Sequence, residues 1–176
     1  MRDHRHSGPI APTMLMLMCL PVWAHAQAAD PSAAPGNPDR YHFQGYIFGA
    51  PGAYHGYSET RATMHVGGGG DVLLYKGLGA GADIGGVWAL SGSDLLTLLS
   101  VNGSYHFSRD RRISPFLTGG YSGIWGDGSA NLVNFGGGVN WWLGKRKGIR
   151  LEFRDHVYTG SENRQIVEFR IGFAFR

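Results

Sequence analysis

The sequence predicts an all-β protein: eight antiparallel strands running up and down, closed into a transmembrane barrel with its apolar side toward lipid. Three observations lead there. The last segment, QIVEFRIGFAF, alternates almost without error. Gln165, Val167, Phe169, Ile171, Phe173 and Phe175 fall on one face, and Glu168, Arg170, Gly172, Ala174 and Arg176 on the other, the period of two that strand side chains follow. The 176-residue chain has 29 glycines and 12% aromatic residues but only 16% charged ones, against roughly 25% charged in an ordinary globular domain, so a water-facing surface would be short of charge. Finally, segments of about ten residues separated by turn residues recur with no sustained helical period.

The amino terminus reads as an export signal over residues 1–28. Arg2 and Arg5 form a basic start, PTMLMLMCLPVW is a short apolar run, and Ala24-His25-Ala26 or Ala26-Gln27-Ala28 offers a small-x-small cleavage site. Cys19, the single cysteine, lies inside it after Met16-Leu17-Met18, which lacks the small residue expected before an acylated cysteine. Without this segment there is no cysteine for a disulfide framework or thiolate metal site, and the charge balance is too mild to point to nucleic acid or to a polybasic membrane patch. Residues 29–41, rich in Pro, Ala and Gly, read as a disordered periplasmic leader. The barrel is then expected over residues 42–176.

Each strand has its own pattern. The first, residues 42–50, is interrupted by glycines. In the second, 63–74, Met64, Val66, Val72 and Leu74 oppose His65 and Asp71. The third, 78–88, sets Leu78, Ala80, Ala82, Ile84 and Trp88 against Gly79, Gly81, Asp83 and Gly85. In the fourth, 95–107, Leu95, Leu99, Val101, Tyr105 and Phe107 oppose Ser100, Asn102, Ser104 and His106. The fifth, 115–125, has Leu117, Tyr121 and Trp125 against Thr118, Gly120 and Ser122. The sixth, 132–143, has Val133, Phe135, Val139, Trp141 and Leu143 against Asn134, Gly136, Gly138 and Asn140. The seventh, 149–158, has Ile149, Leu151, Phe153 and Val157 against Arg150, Glu152, Arg154 and His156, and the opening segment is the eighth. Asp155 falls on the apolar face, which places it at the membrane rim or a bulge, where a charge costs least.

The connections divide into two sets. LYKG, SRDRRIS and GKRKG follow even strands, and PGAYHGYSET, LSGSD, GDGSA and TGSEN follow odd ones. With an even strand count both termini share an end, so the basic connections lie on the periplasmic side and the Gly/Ser/acidic ones face outward. Aromatic residues then sort into two girdles, Trp88, Trp125 and Tyr158 with Tyr54 and Tyr57 at the outer end, and Tyr75, Tyr105, Phe107, Trp141 and Phe175 at the periplasmic end. The polar face carries Gly, Ser, Asn and Thr with a few charges, not the Lys and Glu of a water-facing surface. It therefore suits a narrow interior in which Arg150, Arg154 and Arg170 pair with Glu152, Glu168 and Asp83. Glu152 with Arg170, and Arg154 with Glu168, are the expected cross-strand bridges.

With the signal segment, the stretch NLVNFGGGVNWWLGKRKGIRLEFRDHVY and the terminal VEFRIGFAF, the chain resembles the small eight-stranded outer-membrane barrels of the OmpA transmembrane-domain and OmpX type. The resemblance implies integral residence in the bacterial outer membrane after export, as a monomer partnered by outer-membrane lipid and by the insertion machinery. That machinery reads a final aromatic strand, here Phe169, Phe173 and Phe175, although Arg176 follows the last aromatic. It implies no cofactor. Eight strands enclose an interior that side chains largely fill, so the first expectation is a non-enzymatic structural or surface barrel. Two alternatives stay open. One is a minor channel or ligand-binding barrel. The other is a lipid A acylhydrolase or acyltransferase, for which His156 lies at the correct end with Ser161 and Glu162 nearby, but Tyr158 stands where known deacylases have serine; Ser104 and His106 share a face at the wrong end. His42, His65, His106 and His156 sit on different strands without metal-ligand spacing.

Overall fold

The computed structural model describes residues 42–56, 59–92, 94–108, 111–126, 128–160 and 164–176. The expected signal and leader, and Tyr57, Ser161 and Glu162, lie outside them. Eight strands follow one another around a closed antiparallel barrel, each pairing with its sequence neighbours and β1 with β8. They are β1 (Phe43–Gly56), β2 (Glu59–Tyr75), β3 (Leu78–Ala89), β4 (Leu95–His106), β5 (Ile113–Trp125), β6 (Ser129–Trp142), β7 (Lys147–Tyr158) and β8 (Arg164–Phe175). Closure removes every sheet edge, so all the ladders are satisfied internally, as a chain in lipid requires.

The largest departure from the sequence reading is at the first connection. PGAYHGYSET is not a loop: residues 51–56 extend β1, and β2 begins at Glu59. Gly52 to Gly56 pair with Glu168 to Arg164 of β8, and the pairing passes over Ala50 and Pro51 without a change of register. Pro51 has no N–H for a ladder. The glycines that hide the alternation here sit where neighbours crowd: a Cβ on Gly52 would lie 3.1 Å from the Glu168 Cβ.

At the opposite end β2 and β3 join through Lys76 and Gly77, with φ of 45° and 96°, the positive pair that a two-residue primed turn needs. The ladder shifts by one residue between Leu73 and Tyr75. No shift accompanies Asp155. It pairs in register with Phe135 and Val167, so it is not on a bulge, and it sits half-buried on the apolar face three residues before the outer end of β7.

The two faces differ as the alternation requires. Phe135, Val101, Leu117, Ile171 and Phe173 are all more than half exposed, whereas Asp83, Arg150, Glu152, Arg154, Glu168 and Arg170 are each at most 3% exposed. Apolar side chains thus face outward and ions inward, the reverse of a soluble domain.

Candidate functional site

The interior is layered, and register sets the layers. Outermost is a cup of about 480 Å³ whose wall includes Tyr54, Arg61, Leu96, Trp125, Tyr158 and Arg164. Its floor is an apolar layer of Val87, Leu98, Ile124, Leu132 and Ile166 packed against Tyr54, Leu96, Ala130 and Tyr158. One lumen position further in lie His65, Ser100, Ser122, Asn134, His156 and Glu168, all buried. Glu168 accepts from both sides. His65 Nδ1 is 2.9 Å from Oε2 and His156 Nε2 is 3.3 Å from Oε1, and Arg170 Nε donates to Oε1 at 2.5 Å.

The ionic centre comes next. Arg154 donates from Nε to Glu152 Oε1 at 2.6 Å and from Nη1 to Asp83 Oδ2 at 2.9 Å. Arg170 Nη1 reaches Asp83 Oδ1 at 3.2 Å, and Asn102 donates to Asp83 Oδ2 at 2.9 Å. Arg150 links the centre to the final polar layer, donating to Glu152 at 2.9 Å and to Asp71 at 3.4 Å. Gln44 in turn donates to Asp71 at 2.8 Å. The Arg150 guanidinium also stacks on Phe116 and Tyr46, with centroid distances of 3.9 and 4.2 Å, which satisfies its flat faces as the carboxylates satisfy its edge.

All six charged residues read from the sequence meet in this interior, but by other routes than expected. Glu152 is in register with Arg170, and Arg154 with Glu168. The bonds instead run along a strand, Arg150–Glu152–Arg154 and Glu168–Arg170, and across the lumen to Asp83. Glycine makes this possible. Arg150 faces Gly172, Glu152 faces Gly138, Arg154 faces Gly136, Asp83 faces Gly69, and Asp71 faces Gly81. A Cβ on Gly138 would lie 2.8 Å from the Glu152 Cα and 2.9 Å from the Phe116 ring. These side chains therefore lie over neighbours that have none, whereas Arg170 faces Glu152 on β7.

Sequence reasoning missed Asp71, Gln44, His65 and Ser122 as members, and the apolar residues at lumen positions, among them Tyr46, Phe48, Phe116 and Trp142. The available signal was parity: counting in twos from Asp71, Ser122 or Asn140 reaches Leu73, Ile124 and Trp142. Of the expected girdle residues, Tyr75, Tyr105, Trp125, Trp141 and Phe175 are exposed at strand ends and Trp88 is half-buried. Tyr158 departs from that placement: it occupies a lumen position, against Tyr54 at 6.4 Å. Phe169, Phe173 and Phe175 form the outward face of β8.

One cluster has the composition of an acyl-transfer centre. Ser122 Oγ is 3.2 Å from His156 Nδ1, whose other nitrogen meets Glu168. However, Ser122 also accepts from Asn134 at 2.8 Å and meets Ser100 Oγ at 2.9 Å, and the cluster is buried beneath the apolar layer. A nucleophile needs space for the carbonyl it attacks. His156 faces this interior and not lipid. Ser104 and His106 are likewise buried in the lumen, toward the termini. Among the described residues no group of three His, Cys, Asp or Glu is placed to hold a metal ion.

No family model matches the chain, and no curated protein matches it. Solved structures do. Over 77% of this chain and 97% of the other, the barrel superposes on Neisserial surface protein A with a TM-score of 0.67 at 11% identity. Ail, the attachment invasion locus protein of Yersinia pestis, matches 76% of this chain and 96% of its own with a TM-score of 0.57 at 9% identity. The outer membrane enzyme PagL matches 73% of this chain and 97% of its own with a TM-score of 0.54 at 16% identity.

Proposed function

We propose that this chain, whose fold is shared by small outer-membrane barrels that include surface proteins and an enzyme, is a non-enzymatic integral protein of the bacterial outer membrane, exported by its amino-terminal segment and folded as a monomer with a side-chain-filled lumen, in a structural or surface role. Its partners are outer-membrane lipid and the insertion machinery, with no nucleic acid and no cofactor. The observation that carries this reading is the inverted distribution of side chains, with apolar residues outside and a hydrogen-bonded ionic network inside. An exposed apolar belt of this extent is unstable in water and suits lipid.

The test is expression with its own export segment. The reading expects the chain in the outer-membrane fraction, migrating differently on gels when unboiled. A soluble, monodisperse periplasmic protein overturns it. Against the enzymatic alternative stands the burial of Ser122, His156 and Glu168. Release of fatty acid from membranes by the wild-type chain, lost in His156→Ala, would replace the structural reading with a lipid hydrolase.

A further inference from the structure

The end of the barrel that carries the termini is built as a cationic corner over tryptophan. Arg112 closes the β4–β5 connection, Lys145 and Arg146 lie in the β6–β7 turn, Lys147 opens β7, and Arg176 follows β8. Backbone bonds tie these segments together. Trp142 N–H donates to the Arg112 carbonyl at 2.7 Å, Leu143 N–H to that of Lys147 at 3.0 Å, and Arg176 N–H to that of Arg146 at 3.1 Å. Arg176 Nε donates to the Lys145 carbonyl at 2.9 Å. The Arg176 guanidinium lies 4.3 Å over the Trp142 ring, and that of Arg112 6.0 Å over Trp141. Among the described residues no exposed Asp or Glu stands at this end. At the other end Glu59 pairs with Arg61 at 2.6 Å and Asp94 is exposed.

Directly below the cations the outer wall is apolar: Ile113, Trp141, Leu143, Phe173 and Phe175 are all exposed. We propose that this corner binds an anionic glycerophospholipid, its phosphate held by Arg112, Lys145, Arg146 and Lys147 and its acyl chains lying on that wall. The apolar wall distinguishes a lipid from free phosphate, which would use only the cations. Basic residues near an anionic bilayer surface are drawn to its headgroups, and Trp beside the cations suits the headgroup level. The inference rests on the membrane reading of the barrel.

The full chain, reconstituted in phosphatidylcholine vesicles, is probed by electron spin resonance with chain-labelled phosphatidylglycerol and chain-labelled phosphatidylcholine, and the relative association of the two is measured. Phosphatidylglycerol should be preferred about two-fold or more. The preference should vanish in K145Q/R146Q/K147Q and persist in R61Q, both variants still migrating as folded barrels on unboiled gels. Equal association of the two lipids with the wild-type chain, or an undiminished preference in the triple variant, overturns the proposal. Binding of inorganic phosphate to the folded chain with no preference for phosphatidylglycerol in vesicles assigns the corner to soluble phosphate and also overturns it. A chain that fails to enter vesicles refutes the membrane reading itself, which keeps the two failures apart.

Discussion

At the scale of single residues, the interior depends on setting most long charged side chains opposite a glycine on the next strand, Arg170 opposite Glu152 being the exception. Glu152 is the keystone, since Arg150 and Arg154 both bind it. Glu152→Gln leaves two buried guanidinium groups short of charge, and breaking a buried pair by removing one partner costs about 3–5 kcal/mol. Urea unfolding of the reconstituted barrel should show a loss of that order, well above the effect of Glu59→Gln in the exposed pair with Arg61. Gly138→Val should be worse tolerated than Gly144→Val in the β6–β7 turn. A side chain at Gly138 meets the Leu151 carbonyl, the Glu152 backbone and the Phe116 ring, whereas nothing lies within 4 Å of a Cβ at Gly144. The fraction migrating as folded on unboiled gels measures this. Six of the seven charged members of the site were legible because ions are rare in this chain and sit at lumen positions; Asp71 was not, because its register partners are Gln44 and Gly81 and not a basic residue. Gln44, His65 and Ser122 were not, because a neutral polar residue at lumen parity looks the same whether it joins a network or only fills space.

At the scale of elements, alternation located β2 to β8 to within a few residues but not the outer half of β1. There Pro51, Gly52 and Gly56 look like turn residues, and only pairing with β8 reveals a strand. Tyr158 shows the converse difficulty. Aromatic residues favour strands whichever face they occupy, so residue type did not decide its face, while parity with Arg154 and His156 did. Beyond Lys147 at its first position, Asp155 is the residue of β7 whose parity and chemistry disagree. Its carboxylate is half-buried between Phe135 and Val167 with no shift of register to carry it away. Asp155→Leu should stabilise the barrel by up to about 1 kcal/mol, the upper limit for the cost of an acidic group on a lipid face near the interface, as a higher urea midpoint in vesicles. An unchanged or lower midpoint would mean that the carboxylate has a favourable partner in the headgroup region.

At the scale of the molecule, two different barriers fill the lumen in series, the apolar layer beneath the outer cup and the ionic centre beneath that. Conductance of the wild-type chain in planar bilayers should therefore stay at background, and clear single-channel steps would favour the channel alternative. Removing one barrier, as in Leu98→Ser, should still leave the other and no steady current. The central claim is that odd-numbered residues of β8 face lipid and even-numbered ones face a closed interior. With Cys19 replaced by serine, single nitroxide labels placed in turn at 166, 167, 169, 171, 173 and 174 in vesicles test it by collision with oxygen and with a water-soluble nickel chelate. Expected are high oxygen and low nickel access at 167, 169, 171 and 173, and low oxygen access at 166 and 174. High nickel access along the odd positions would contradict it.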